Sequence, residues 1–237
     1  MKPLVLALQF MTRLPLPNVQ ADSRDMAKAI RWFPVAGLLV GGGVAGAAWL
    51  GLQRDPWAGA ILALLAWVAI TGALHLDGLG DIADAAGAGH ADASRISQVL
   101  SDPHVGSFGA TAIALQLLSK LVLLRLSLET SSMSALIALP VIARAAPLFW
   151  ARTLPPLHTG LGTMFRSGAS LAAIGLWLSF TVLAPLALAP ALLAALPAIA
   201  AWRWWLLRRI GGISGDGHGA GIELVESAML AALAFIP

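Results

Sequence analysis

A chain that stays apolar for longer than a soluble core is thick has few places to go. From Ser170 to Trp205 this one is almost wholly apolar, and Arg203 is its one charge. A membrane-spanning helix needs about 20 mostly apolar residues. The stretch is too long for one crossing and carries Pro185 and Pro190 near its middle, so it predicts two spans with a tight turn at Ala189–Pro190. The same measure predicts spans at Phe33–Leu52, Trp57–Leu74, Ser107–Leu128 and Ser132–Trp150. A last segment from Ile222 onward is short, and either crosses thinly or lies half-inserted. The expected count is seven, with six as the alternative. The expected fold is an all-α polytopic membrane bundle, a single domain over residues 1–237.

Composition agrees. The chain is 58% hydrophobic and 11% charged, with a mean hydropathy of +0.81. Soluble domains run at roughly 45–50% apolar and about 25% charged. So little charge excludes a soluble enzyme, a disordered chain and a nucleic-acid binder. The absence of Cys excludes disulfides, thiolate metal sites and a Cys nucleophile. Nine Trp and no Tyr suit a membrane interface.

The run Leu4–Met11 is too short to span. With no small-x-small cleavage site after it, it reads as a helix lying in the interface rather than a leader. Connections then alternate between short and long. The long ones, at 75–106, 151–169 and 206–221, fall with residues 1–32 on one face. That face holds Lys2, Arg13, Arg24, Lys28, Arg31, Arg95, Arg152, Arg166, Arg203, Arg208 and Arg209, leaving Arg54 alone opposite. Lys/Arg excess marks the cytoplasmic side. The expected location is therefore the inner (cytoplasmic) membrane, with N-terminus and long loops cytoplasmic. All five His lie on this face, and so do all the acids except Asp55 and Glu129. Such sorting points to a functional cytoplasmic face.

The sharpest local feature is His75-Leu76-Asp77-Gly78-Leu79-Gly80-Asp81-Ile82-Ala83-Asp84, at the end of the second apolar run. On a continuing helix Asp77, Asp81 and Asp84 are i, i+4 and i+7, on one face. Three stacked carboxylates repel unless a cation lies among them. Mg²⁺ takes hard oxygen ligands and is commonly held by one or two carboxylates plus substrate phosphates. A solvated helix end with scattered acids is the other reading. His75 is open between ligand, general base and plain interfacial imidazole. Asp92 reads as the N-cap of a short helix at 93–100.

Ser101–Gly109, with His104 and Gly106, leads straight into the third span. Small residues at a helix N-terminus form an anion site, and are equally routine caps. The glycine-rich run 211–221 carries Asp216 and His218 and would let backbone approach a ligand. Glu223 and Glu226 follow at the start of the last helix, where the dipole favours acids. Lys120 and Arg144 lie inside the third and fourth spans. Such residues are costly and imply a function or a buried partner. Either could reach a phosphate or pair with an acid. Arg125, near a span end, reads as snorkelling.

These motifs together resemble the cobalamin synthase family, the adenosylcobinamide-GDP ribazoletransferases. The matching residues are Leu8-Gln9-Phe10-Met11-Thr12-Arg13-Leu14-Pro15, Trp32-Phe33-Pro34-Val35-Ala36-Gly37 and the acidic signature 75–84. Val105-Gly106-Ser107-Phe108-Gly109, Arg144-Ala145-Ala146-Pro147-Leu148 and Gly211-Gly212-Ile213-Ser214-Gly215-Asp216 follow. The chain departs mildly at Ala85 (family Gly), His104 (a basic residue) and Ser214 (Thr). The resemblance implies a Mg²⁺-dependent phosphoryl transfer. In it the ribose hydroxyl of α-ribazole, or of its 5′-phosphate, attacks the cobinamide-side phosphate of adenosylcobinamide-GDP and GMP leaves. It assigns Asp77, Asp81 and Asp84 to Mg²⁺, with His75 or one of the acids as base. It gives Lys120 and Arg144 the diphosphate, Asp216 a ribose or second cation, and His104 and Gly106 substrate contacts. Membrane lipid is an expected partner, nucleic acid is not, and a homo-oligomer is left open. The alternatives are a CDP-alcohol phosphotransferase-like lipid enzyme, whose two-part Asp motif is absent, and a cation-coupled transporter. A transporter more often breaks its helices at mid-membrane, whereas these acids sit at the edge.

Overall fold

The computed structural model describes residues 1–87, 93–158 and 161–236. Among them the regular elements are all helices, with no strand beyond one isolated bridge. The helices are α1 (Lys2–Met11), α2 (Ser23–Ala29), α3 (Phe33–Leu52), α4 (Pro56–Thr71), α5 (Leu74–Gly87), α6 (Ala93–Val99) and α7 (Ser107–Thr130). Then come α8 (Met133–Ala143), α9 (Ala146–Thr153), α10 (Leu161–Gly168), α11 (Leu171–Leu188), α12 (Ala195–Arg209) and α13 (Gly215–Phe235). Six helical rods are long and apolar enough to cross a membrane, or seven if the bent pair α4–α5 counts as one.

Local chemistry sets the starts. Asp55 accepts the N–H groups of Trp57 and Ala58 at 2.8 and 3.0 Å, and Pro56 opens α4. Ser132, Ser170 and Ser214 cap α8, α11 and α13 in the same way. The chain from Ala189 turns through a 3-10 segment, Pro190–Ala194, and divides the long apolar stretch into α11 and α12 as expected.

Two boundaries differ from the sequence reading. The first rod begins at Ser23, because α2 and a 3-10 turn at Ile30–Trp32 run into α3 without a break. The last helix begins at Gly215, seven residues before the expected Ile222, and is 21 residues long. Gly is about 1 kcal/mol worse than Ala in a helix, so propensity argued for a loop there. Packing decides otherwise. A Cβ at Gly221 would meet the rings of Trp150 and Trp202 at 2.5 Å, so the glycines let bulky neighbours press against the helix backbone.

The same device joins α3 to α8. A Cβ at Gly37 would meet the Pro140 carbonyl oxygen at 2.5 Å, and one at Gly41 would strike the backbone of Ile137. Helices in lipid gain little from hydrophobicity against each other and associate through close small-residue contacts. Gly37→Val and Gly41→Leu should therefore each cost at least the ~1–3 kcal/mol typical of overpacking. The check is thermal unfolding of purified protein in mild detergent, against Gly42→Ala, where a Cβ meets nothing within 4 Å.

Candidate active site

The acidic signature is aimed by a break. Gly72 and Ala73 both take left-handed backbone, φ +61° and +58°, and α5 leaves α4 at 83°. Glycine adopts this freely, whereas Ala73 carries strain of about 1–2 kcal/mol. Arg13 secures the corner. Its N–H donates to the Ile70 carbonyl at 2.8 Å, and its side chain lies where a Cβ on Gly72 would stand. So α5 runs across the end of α4 rather than along it.

Two neighbours hold α5. A Cβ at Gly78 would meet the Asp216 carbonyl oxygen at 2.8 Å, and one at Gly219 the Cα of His75 at 3.2 Å. These two glycines put the backbones of α5 and α13 in contact and bring Asp216 beside the acids of α5. On the other side Gly80 packs toward Gly109 and Ile113 of α7. There Asp84 accepts the N–H of Gly106 at 2.8 Å and of Gly109 at 2.9 Å. The anion position read at the α7 N-terminus therefore receives the protein's own carboxylate, and the Gly106 N–H is already engaged.

Asp77 is exposed, while Asp81, Asp84 and Asp216 are half-buried. Burial, then the charges of Asp216, Asp77 and Asp84, push the Asp81 carboxyl up to about 6. Among the described residues none of these four acids has a Lys or Arg partner. Nor, among those residues, do three or more His, Asp or Glu converge as a ready metal cage. Crowded, uncompensated carboxylates without a complete cage fit an ion that keeps its waters and takes substrate oxygens, as Mg²⁺ does.

Loops close the rim. Leu157 N–H donates to Ile213 carbonyl and Ile213 N–H to Pro155 carbonyl, at 3.0 and 2.9 Å. This clip holds the loop that carries exposed His158 against the residues just before α13. The Ser97 hydroxyl lies 3.4 Å from His158 Nδ1. Ser214 Oγ donates to Asp216 Oδ2 at 3.2 Å and accepts the Gly217 N–H. His104 pairs with Asp102 at 2.7 Å on the exposed loop before α7. Beside the acids, Leu79, Ile82, Ala83 and Ala86 of α5 face Trp202, Trp204 and Trp205 of α12 across an apolar groove of about 530 Å³. His90 and Asp92 lie outside the described residues.

Three expected residues sit elsewhere. Lys120 and Arg144 are 2% and 0% exposed and do not face the acids of α5. Lys120 Nζ bonds Glu223 Oε2 at 2.8 Å and Glu226 Oε2 at 2.7 Å, and Arg144 Nη1 bonds Glu226 Oε1 at 2.8 Å. Gln116 donates to Glu223, and the Lys120 ammonium stands 4.1 Å from the Trp67 ring. Two cations and two carboxylates neutralise one another, so neither base is free for a diphosphate. Buried charge stays ionised only when paired in this way. His75 is also buried, packed on Gly219, and its ring nitrogens have no hydrogen-bond partner among the described residues. A proton acceptor must reach its hydroxyl within about 3 Å or through one water, and a sealed ring does not. Glu223 and Glu226 read as helix-start acids in the sequence, and only the partnerless Lys120 and Arg144 hinted at this role. His158 carried only the sorting of all five His onto one face, and Ser97 carried no signal.

Comparison with known proteins covers nearly the whole chain. The family model described as cobalamin-5-phosphate synthase matches residues 3–234. The adenosylcobinamide-GDP ribazoletransferase of Novosphingobium aromaticivorans is 49% identical, over 99% of this chain and 96% of its own. Those of Thiobacillus denitrificans (46%, over 97% and 94%) and Laribacter hongkongensis (50%, over 97% and 95%) are similarly close. No solved structure matches.

Lys120→Met leaves Glu223 short of its cation in the bundle, and breaking such a pair costs about 3–5 kcal/mol. Adding Glu223→Gln restores charge balance around the remaining Arg144–Glu226 pair, and should recover part of the lost stability. Thermal unfolding of the single and double variants in detergent is the check, and a single variant as stable as the parent would rule the pairing out.

Proposed function

The chain belongs to the cobalamin-5-phosphate synthase family, and from that premise we propose how its residues perform the family's reaction. The enzyme joins α-ribazole or α-ribazole 5′-phosphate to adenosylcobinamide-GDP. A ribose hydroxyl oxygen bonds to the cobinamide-side phosphorus. The bond from that phosphorus to the bridging oxygen breaks, GMP leaves with that oxygen, and the hydroxyl proton passes to a base. Membership in this family disfavours both the lipid phosphotransferase and the transporter.

The observation that carries the site assignment is the crowding of unpaired carboxylates where α5 meets α13. Asp77 and Asp81 would hold Mg²⁺, with substrate phosphates completing its shell. When bound, the ion neutralises the diphosphate and stabilises the departing phosphate oxygen. Asp216, held by Ser214, takes the ribose hydroxyl as hydrogen-bond acceptor and receives its proton. With His75 sealed, an acid suits that task better. Lys120 and Arg144, in place of binding the diphosphate, hold α13 so that Asp216 stays against Gly78. Such transfers depend on positioning and charge neutralisation more than on covalent help from the protein. The apolar Trp groove beside α5 is the place for the apolar part of a bulky substrate.

The same reading places the protein in the bacterial inner membrane, with the acid-bearing edge, the basic loops and the N-terminus on the cytoplasmic side. Bilayer lipid is then its surrounding partner.

The test is GMP release by purified protein given adenosylcobinamide-GDP and α-ribazole 5′-phosphate. Activity should vanish with EDTA and return with Mg²⁺. Asp77→Asn and Asp81→Asn should each lower kcat by about 100-fold or more, the scale of losing charge stabilisation in the transition state. Near-normal GMP release by both variants would overturn the metal assignment.

A further inference from the structure

Among the described residues, Asp84 alone of the three acids on α5 has both oxygens engaged by the protein. Oδ2 accepts from Gly106 N–H at 2.8 Å and Oδ1 from Gly109 N–H at 2.9 Å. These donors are the N-cap and third residue of α7, a helix whose own N-cap, Gly106, has no side chain to offer. The first N–H groups of any helix lack intrahelical acceptors. Asp84 supplies one from 22 residues away, and its charge sits at the positive end of the helix dipole. The seat is cut to fit, because a Cβ on either Gly106 or Gly109 would collide with the Asp84 carboxylate.

We propose that Asp84 is a positioning residue that fastens α5 to the first turn of α7, and that it does not ligate the catalytic cation. It acts through Asp81, one turn back on the same helix, and through Asp77 beyond that. With its carboxylate pinned, α5 cannot roll about its axis, and both acids stay turned toward Asp216. The two-oxygen, two-donor pattern needs a carboxylate. An amide in its place offers one acceptor and points its NH₂ at an N–H.

The metal arm of the test rests on Asp77 and Asp81 holding the ion, and the exchange arm does not. In purified full-length protein, Asp84→Asn should speed amide exchange of the segment spanning Gly106–Gly109 by about tenfold or more, with Asp81→Asn leaving it unchanged. Mn²⁺ binding, followed by its EPR signal, should stay within about threefold of the parent in Asp84→Asn and weaken at least about tenfold in Asp81→Asn. The kcat of Asp84→Asn should fall with an unchanged KM for Mg²⁺, and Asp84→Glu, which keeps both acceptor oxygens, should recover part of it. Unchanged exchange in Asp84→Asn overturns the proposal, as does a loss of Mn²⁺ affinity matching that of Asp81→Asn. If the parent protein binds no Mn²⁺, the reading of Asp77 and Asp81 fails, and the exchange arm alone decides Asp84.

Discussion

Lys120, Glu223, Glu226 and Arg144 form a closed set of charges inside the bundle, and the rest of the molecule is arranged around it. The four residues come from α7, α13 and the end of α8. In lipid each of them alone would be a heavy penalty, since a charge in a low-dielectric medium keeps almost none of its hydration energy. Together they are neutral, Gln116 donates to Glu223 and the Trp67 ring faces the Lys120 ammonium, while Arg144 Nε and Nη2 have no hydrogen-bond partner among the described residues. An arrangement that is costly in pieces and tolerable when complete selects one registration of three helices. Sliding or rotating α13 would break every bond at once.

That registration reaches the acids of α5 along α13. Glu223 lies two turns from Asp216, so fixing one sets the other. The glycines of α13 and α5 then let the two backbones touch, with Gly78 on Asp216 and Gly219 on His75. From the other side Asp84 ties α5 to the start of α7, the helix that also carries Lys120. The acids of α5 are therefore held between two helices that the buried charges have already locked together. Inside the bundle Lys120, Arg144, Glu223 and Glu226 pair with one another, whereas among the described residues Asp77, Asp81 and Asp216 have no Lys or Arg partner.

Much of this architecture could be read along the chain. The apolar runs became helices, the one at 132–150 divided at Arg144 into α8 and α9, the Ala189–Pro190 turn appeared, and the acids at 77, 81 and 84 lie on one helix as their spacing required. The misses share a cause. The glycines at 215–221 read as a loop because Gly is a poor helix former, yet neighbours such as Trp150 and Trp202 needed a backbone with nothing on it. Lys120 and Arg144 read from the residues as either phosphate contacts or partners of an acid, and the resemblance gave them the diphosphate; nothing adjacent in sequence decided between the two. Their partners are 82 to 106 residues away.

The sequence by itself determined that this chain belongs in a bilayer and which few residues could do its chemistry. Hydropathy adds up residue by residue, and scarce charges can be inspected one at a time. Only the tertiary structure decided which of those charges are spent on one another. Pairing depends on the rotation and depth of helices distant in the chain, and no local pattern records it. Asp77, Asp81 and Asp216 were left open by that pairing, and Glu223 and Glu226, three residues apart on one helix, were consumed by it.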